Sequence, residues 1–257
     1  MLIVSLLLTG RAGAGDRVIT VTTRPNVTEA VVVVRPPGKP DAIVVVLVGG
    51  SGKLDLTPRG LPRDAPGLFV PRREQLAGRG FVVAFPDAPS DRLGQGLLGF
   101  RTTREHSADI GAVIARLRHD DPAPVWLVGI SMGTVSAASV AARLGTDGPD
   151  GLVLISSVTR THPYMRESLR DVSLETIQAP TLVIHHHDDP CETTSYADAV
   201  GLPGRLTRAA RVELVALAGG PPRSGLACGP ESPHAFFGIE DTLIDRLASW
   251  IKRAPVR

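Results

Sequence analysis

The chain of 257 residues carries a formal charge of +2, with 43% hydrophobic, 21% charged and only 4% aromatic residues. That is enough material for one large globular domain with a substantial core. A nearly balanced charge with no basic stripe and few aromatics offers nucleic acid no electrostatic footprint, and leaves a small molecule as the expected partner.

The opening reads "MLIVSLLLTGRAGAGD", an apolar run from Leu2 to Leu8 followed by the small residues Ala12-Gly13-Ala14. The run is too short to span a bilayer. It reads as a signal peptide over residues 1–14, which points to a secreted or periplasmic protein with residues 15–257 as a single domain. A basic n-region is missing, so an apolar N-terminal strand in a cytoplasmic protein stands as the alternative.

"VITVTT" (Val18–Thr23) and "AVVVVR" (Ala30–Arg35) read as two strands paired around the turn-rich "RPNVTE". "AIVVVLVGG" (Ala42–Gly50) is a continuous apolar run, as expected of a strand covered on both faces. A helix is expected over Val70–Gly80, then a strand over Phe81–Asp87. From Thr103 to His119, the residues Ile110, Val113, Ile114 and Leu117 fall at helical spacing. "PVWLVGI", a helix from Met132 to about Leu144, and "GLVLISSV" (Gly151–Val158) follow. After a polar stretch, Thr159–Gln178, come "APTLVIHH", a helical stretch, "RVELVAL" (Arg211–Leu217) and a closing helix in "GIEDTLIDRLASWIKR". Such alternation calls for an α/β fold, a mostly parallel central sheet with helices on both faces.

Gly129-Ile130-Ser131-Met132-Gly133 fits G-x-S-x-G. Chance alone would put such a match in roughly one chain of this composition in six, so its context must carry the weight. The context is an apolar strand before it and a small-residue helix after it. A serine on a sharp strand–helix turn projects its hydroxyl above the sheet, and the glycines spare neighbouring elements a collision. A serine that merely capped a helix would need neither glycine.

With these residues the chain resembles the α/β-hydrolase superfamily, from about Val18 to Lys252. The resemblance implies a triad in the order serine, acid, histidine. "PTLVIHHHDDP" is similar to the family's acid segment and puts the acid on Asp189, with Asp188 as runner-up. His234, in "CGPESPHAFFGIEDTLIDRL", occupies the family's histidine slot ahead of the closing helix. His106 reads as a surface or helix-capping residue, and His119 and His162 as solvated. His185-His186-His187 invites a metal reading, but neighbours on a strand point to opposite faces, so three in a row do not converge on one ion. No metal and no cofactor are expected. The oxyanion donors implied are the Met132 amide and one from "LVGGSGK", Gly50 or Ser51; the family often has His-Gly there, and this chain does not.

Cys191 stands two residues past Asp189, and Cys228 shortly before His234. A disulfide between them would tie the acid loop to the histidine loop. "FPDAPSDRLGQGLLGF" (Phe85–Phe100) is expected to wall the pocket. Asp87 and Asp91 in it are candidates for recognising a polar or cationic group, with capping and turn formation as the plainer role. Thr159–Gln178 falls where the family carries a cap, and its shortness implies an open pocket for esters of modest size. The resemblance thus implies a serine hydrolase cleaving a small carboxylic ester through an acyl-enzyme. Alternatives are an amidase or peptidase, a C–C bond hydrolase, or a non-catalytic ligand-binding homologue.

Overall fold

The computed structural model describes residues 15–57, 60–62 and 67–254. The segment read as a signal peptide lies outside them. Eight strands form one sheet in the order β1-β2-β4-β3-β5-β6-β7-β8. They are β1 (Arg17–Arg24), β2 (Val27–Val34), β3 (Ala42–Leu47), β4 (Phe81–Pro86), β5 (Val125–Ile130), β6 (Gly151–Ile155), β7 (Thr181–His186) and β8 (Val212–Leu217). Only β2 runs antiparallel to its neighbours; the ladders from β4 through β8 are all parallel.

The helices are α1 (Arg73–Gly78), α2 (Arg104–Asp120), α3 (Met132–Leu144), α4 (Tyr196–Ala199), α5 (Leu202–Arg205) and α6 (Glu240–Arg253). Every residue of β3, β4, β5, β6 and β7 is buried, which is why these strands read as unbroken apolar runs rather than alternations. Successive side chains feed two cores. Val45 and Leu127 join Ile110, Val113 and Ile114 of α2 and Val135 of α3. Val44 and Val128 join Leu76 of α1 and Leu243, Ile244 and Leu247 of α6 on the other face. Trp126 and Trp250 meet edge to face, with ring centroids 5.2 Å apart. Gly151 on β6 leaves the room this needs, because a Cβ there would run into the Trp126 ring.

Several elements stop short of the sequence expectation, each for a local reason. β3 ends at Leu47, before the turn at Gly49 and Gly50 leaves the sheet. β6 ends at Ile155, since Ser156 takes φ 48° and bends the chain away. The helix expected over Val70–Gly80 is a six-residue α1, closed before Gly80 at φ +95°. Residues 159–178 hold two single 3₁₀ turns and an isolated bridge between His162 and Met165, matching the short cap expected there.

Candidate active site

The C-terminal ends of the parallel strands bring the pieces together. β5 runs into α3 through Ser131, whose φ of 51° and ψ of −125° lie in a region non-glycine residues rarely occupy. Holding a residue there costs on the order of 1–3 kcal/mol. The turn is over-determined: Ser131 N–H donates to the Ile155 carbonyl at 3.0 Å, and Thr134 Oγ1 donates to the Ser131 carbonyl at 2.6 Å. A Cβ at Gly129 would strike the Gly133 carbonyl and Thr134 Cα, and one at Gly133 would strike the Leu47 carbonyl. Both glycines of the motif are therefore steric requirements of the bend.

Asp189 follows β7 and its side chain is fully buried. Its Oδ2 lies 3.1 Å from His234 Nδ1 and accepts from Thr194 Oγ1 at 2.9 Å, while Oδ1 accepts from Cys191 N–H at 2.9 Å. His185 Nε2 approaches the same Oδ2 at 3.3 Å. Burial raises the pKa of the carboxyl, but the hydrogen bonds from His185 and His234, the charge of His234 and the Cys191 amide together outweigh burial and hold it well below the usual carboxylate range. Asp188 is the other case: it is exposed and pairs outward with His187 at 2.7 Å.

His234 is buried, with its N–H taken by Ser232 Oγ and its carbonyl accepting from Ser156 Oγ at 2.7 Å. With Nδ1 turned to a carboxylate, Nδ1 carries the proton and Nε2 presents a lone pair. Ser131 and His234 line one cavity of about 360 Å³. The relay is closed at Asp189–His234 and open at its other end, since among the described residues no hydrogen bond joins Ser131 to His234.

Gly49, Gly50 and Ser51 close one side of the cavity, Leu68 and Phe69 a second, and Cys228, Gly229 and Pro230 a third. The β3 turn presses on Ser131, for a Cβ on Gly49 would come within 3.0 Å of Ser131 Cβ. Met132 N–H is the first amide of α3, one of those a helix start leaves without an internal partner. Cys191 and Cys228 form a disulfide with a Cα–Cα distance of 4.8 Å. It joins the acid loop to the loop ahead of His234.

Two expectations are corrected, those for the pocket wall and for His106, and for Asp87 the plainer role is the one found. Residues 85–100 do not line the cavity; the stretch before α1 and the 228–230 segment do. Asp87 is buried and spent on backbone, with Oδ1 accepting from Leu54 and Ala88 N–H and Oδ2 from Leu56 N–H, while Asp91 grips Arg24. His106 is not a surface residue: it is 1% exposed, packs edge-on to Phe100, and neither ring nitrogen has a partner. His119 and His162 are exposed as expected. The triple histidine diverges. His185 donates from Nε2 to the Thr194 carbonyl, His186 binds the Gly219 carbonyl, and His187 faces solvent. Thr194, bridging Asp189 and His234, escapes sequence reasoning because it bears no motif, whereas His185, beneath Asp189, belongs to the triple histidine of the acid segment.

No protein-family model and no curated protein matches the sequence. Solved structures do match in shape. A thermostable carboxyl esterase from Bacillus coagulans aligns at a TM-score of 0.64 and 14% identity, covering 92% of this chain and 98% of that one. A lidless α/β serine hydrolase from Xanthomonas campestris aligns at 0.59 and 19%, covering 94% and 97%. An acylaminoacyl peptidase from Pyrococcus horikoshii aligns at 0.62 and 13%, covering 93% of this chain and 42% of that longer one. The chain has the α/β-hydrolase fold.

Proposed function

We propose that the protein is a serine hydrolase that cleaves small, uncharged carboxylic esters. The observation that carries the reading is the convergence of a strained Ser131, a buried Asp189–His234 pair and the Gly49–Ser51 turn on one cavity. In this mechanism His234 Nε2 takes the Ser131 proton as Oγ attacks the carbonyl carbon. Asp189 holds the imidazole in the right tautomer and stabilises its cation. The oxyanion is received by the Met132 N–H and by that of Gly50 or Ser51. Collapse expels the alcohol, which takes the proton from His234, and a water activated by the same nitrogen then releases the acid.

The cavity supports a modest, neutral acyl group. Leu54, Leu68, Phe69 and Ile130 supply apolar surface, and about 360 Å³ is at the small end of ligand sites. Arg72 and Glu240 both reach the cavity but hold each other at 2.7 Å, so Glu240 is not free to anchor the ammonium of an aminoacyl substrate. That favours esters over aminoacyl amides.

No helix among the described residues is long and apolar enough to cross a membrane. The disulfide favours an oxidising compartment, in keeping with export. A fluorophosphonate probe should label wild type and not Ser131→Ala, and turnover of p-nitrophenyl esters of two to six carbons should exceed that of aminoacyl p-nitroanilides. Labelling that survives in Ser131→Ala would sink the nucleophile assignment.

A further inference from the structure

The turn that walls the cavity beside Ser131 has three glycines in four residues, Gly49, Gly50 and Gly52, two of them at positive φ. Such a segment is intrinsically the loosest that a chain offers, because glycine loses the most conformational freedom on ordering. Oxyanion donors must nevertheless sit within about 0.5 Å of their productive position.

Arg101 supplies the missing stiffness. Its side chain is fully buried. Nη2 donates to the Val48 carbonyl at 3.3 Å and the Gly50 carbonyl at 3.0 Å, and Nη1 donates to Ser136 Oγ on α3 at 2.8 Å. One guanidinium thereby ties the turn to the helix that begins at Met132. Leu97 N–H takes the Ser51 carbonyl at 2.7 Å and Gly52 N–H the Gly49 carbonyl at 3.0 Å, so all four carbonyls from Val48 to Ser51 are held. In a planar trans peptide the N–H points opposite to the C=O. Fixing the Val48 and Gly50 carbonyls therefore orients the Gly49 and Ser51 amides and clamps the Gly49–Gly50 peptide between them.

The charge is as telling as the geometry. Arg101 forms no ion pair among the described residues. Glu167, whose charge acts on it, spends its oxygens on Gly99 N–H and on the N–H and hydroxyl of Thr102. Burial lowers the guanidinium pKa to about 10, so it remains a cation at neutral pH. A buried charge with no carboxylate in contact is expensive for stability alone. Behind a turn whose amides face a developing oxyanion, it favours the transition state.

We infer that Arg101 is the positioning residue of the oxyanion turn, orienting the Ser51 amide directly and clamping the Gly49–Gly50 peptide between its two contacts; this rests on the proposed hydrolase reading. Arg101→Met is expected to lower kcat for a short p-nitrophenyl ester by about 10- to 100-fold, with KM moving less than about threefold, a fraction of what losing a whole donor costs. Affinity for a trifluoromethyl ketone, which forms a tetrahedral adduct, should fall by the same factor. Arg101→Lys should recover part of both, because one ammonium keeps the charge but not the span. A folded Arg101→Met with unchanged kcat and ketone affinity overturns the assignment while leaving Ser131-dependent turnover standing. A wild-type enzyme without Ser131-dependent turnover overturns the parent reading instead. If Arg101→Met fails to fold, Ser136→Ala, which removes only the seat of Nη1, decides: a kcat loss of threefold or more supports the role, and wild-type kcat with wild-type ketone affinity refutes it.

Discussion

The two halves of the site are built by different means. The serine half is local: five consecutive residues, Gly129 to Gly133, make a bend whose neighbours leave no alternative. The acid–histidine half is assembled across distance, with Asp189 and His234 on separate loops 45 residues apart, joined by hydrogen bonds through Thr194 and by the Cys191–Cys228 disulfide. A short, strained bend is stiff without help. Two long loops are not, and they carry the crosslink.

Five perturbations would break or sharpen that contrast. The largest is Ser131→Ala, expected to reduce ester turnover by about 10⁴- to 10⁶-fold in kcat with the circular dichroism spectrum unchanged. Asp189→Asn should cost about 10⁴-fold by leaving His234 in the wrong tautomer. Asp188→Asn should stay within twofold, so equal losses in the two variants would transfer the acid role away from Asp189.

Cleaving the disulfide, in Cys191→Ser/Cys228→Ser, should lower unfolding free energy by about 4 kcal/mol, the loop-closure entropy of a 37-residue separation. Activity should then fall well before the global transition, as the acid and histidine loops part. Urea titrations followed by both turnover and fluorescence test this, and coincident curves would deny the loops any independent motion.

The last perturbation concerns the uncrosslinked side. Burial, reinforced by the charges of Arg101 and Arg24, lowers the His106 pKa from 6.5 to about 3. A depressed histidine pKa means the folded state binds its proton less readily than the unfolded chain. The stability this group contributes is therefore full above about pH 6.5 and is lost as pH falls toward 3. By pH 4 the loss is on the order of 3 kcal/mol. His106→Leu should narrow the gap between urea midpoints at pH 7 and pH 4, and an unchanged gap would place the acid sensitivity elsewhere.

Much of this molecule is legible in one dimension wherever the controlling forces are local or periodic. Continuous apolar runs announce strands covered on both faces, and β3 to β7 are buried throughout. The ends of β3 and β6 were less legible, because single residues such as Ser156 at φ 48° end a strand that its apolar neighbours would continue. Residues 85–100 stay off the cavity, against the sequence expectation, for a topological reason. β4 ends near the catalytic edge, yet the loop after it turns toward Arg24 and Asp109 on β1 and α2, away from the cavity.

The strand–serine–helix pattern around Ser131 was written in the chain itself, since a repeating apolar pattern and small residues at a turn act locally, while Asp189 and His234 were reached through the resemblance those residues carry. The burial of His106, the bridge through Thr194 and the clasp of Arg101 on the glycine turn belonged to the tertiary structure alone. Each depends on which groups meet after the sheet has closed, and a buried hydrogen bond or an unpaired charge has no meaning until the water around it is gone.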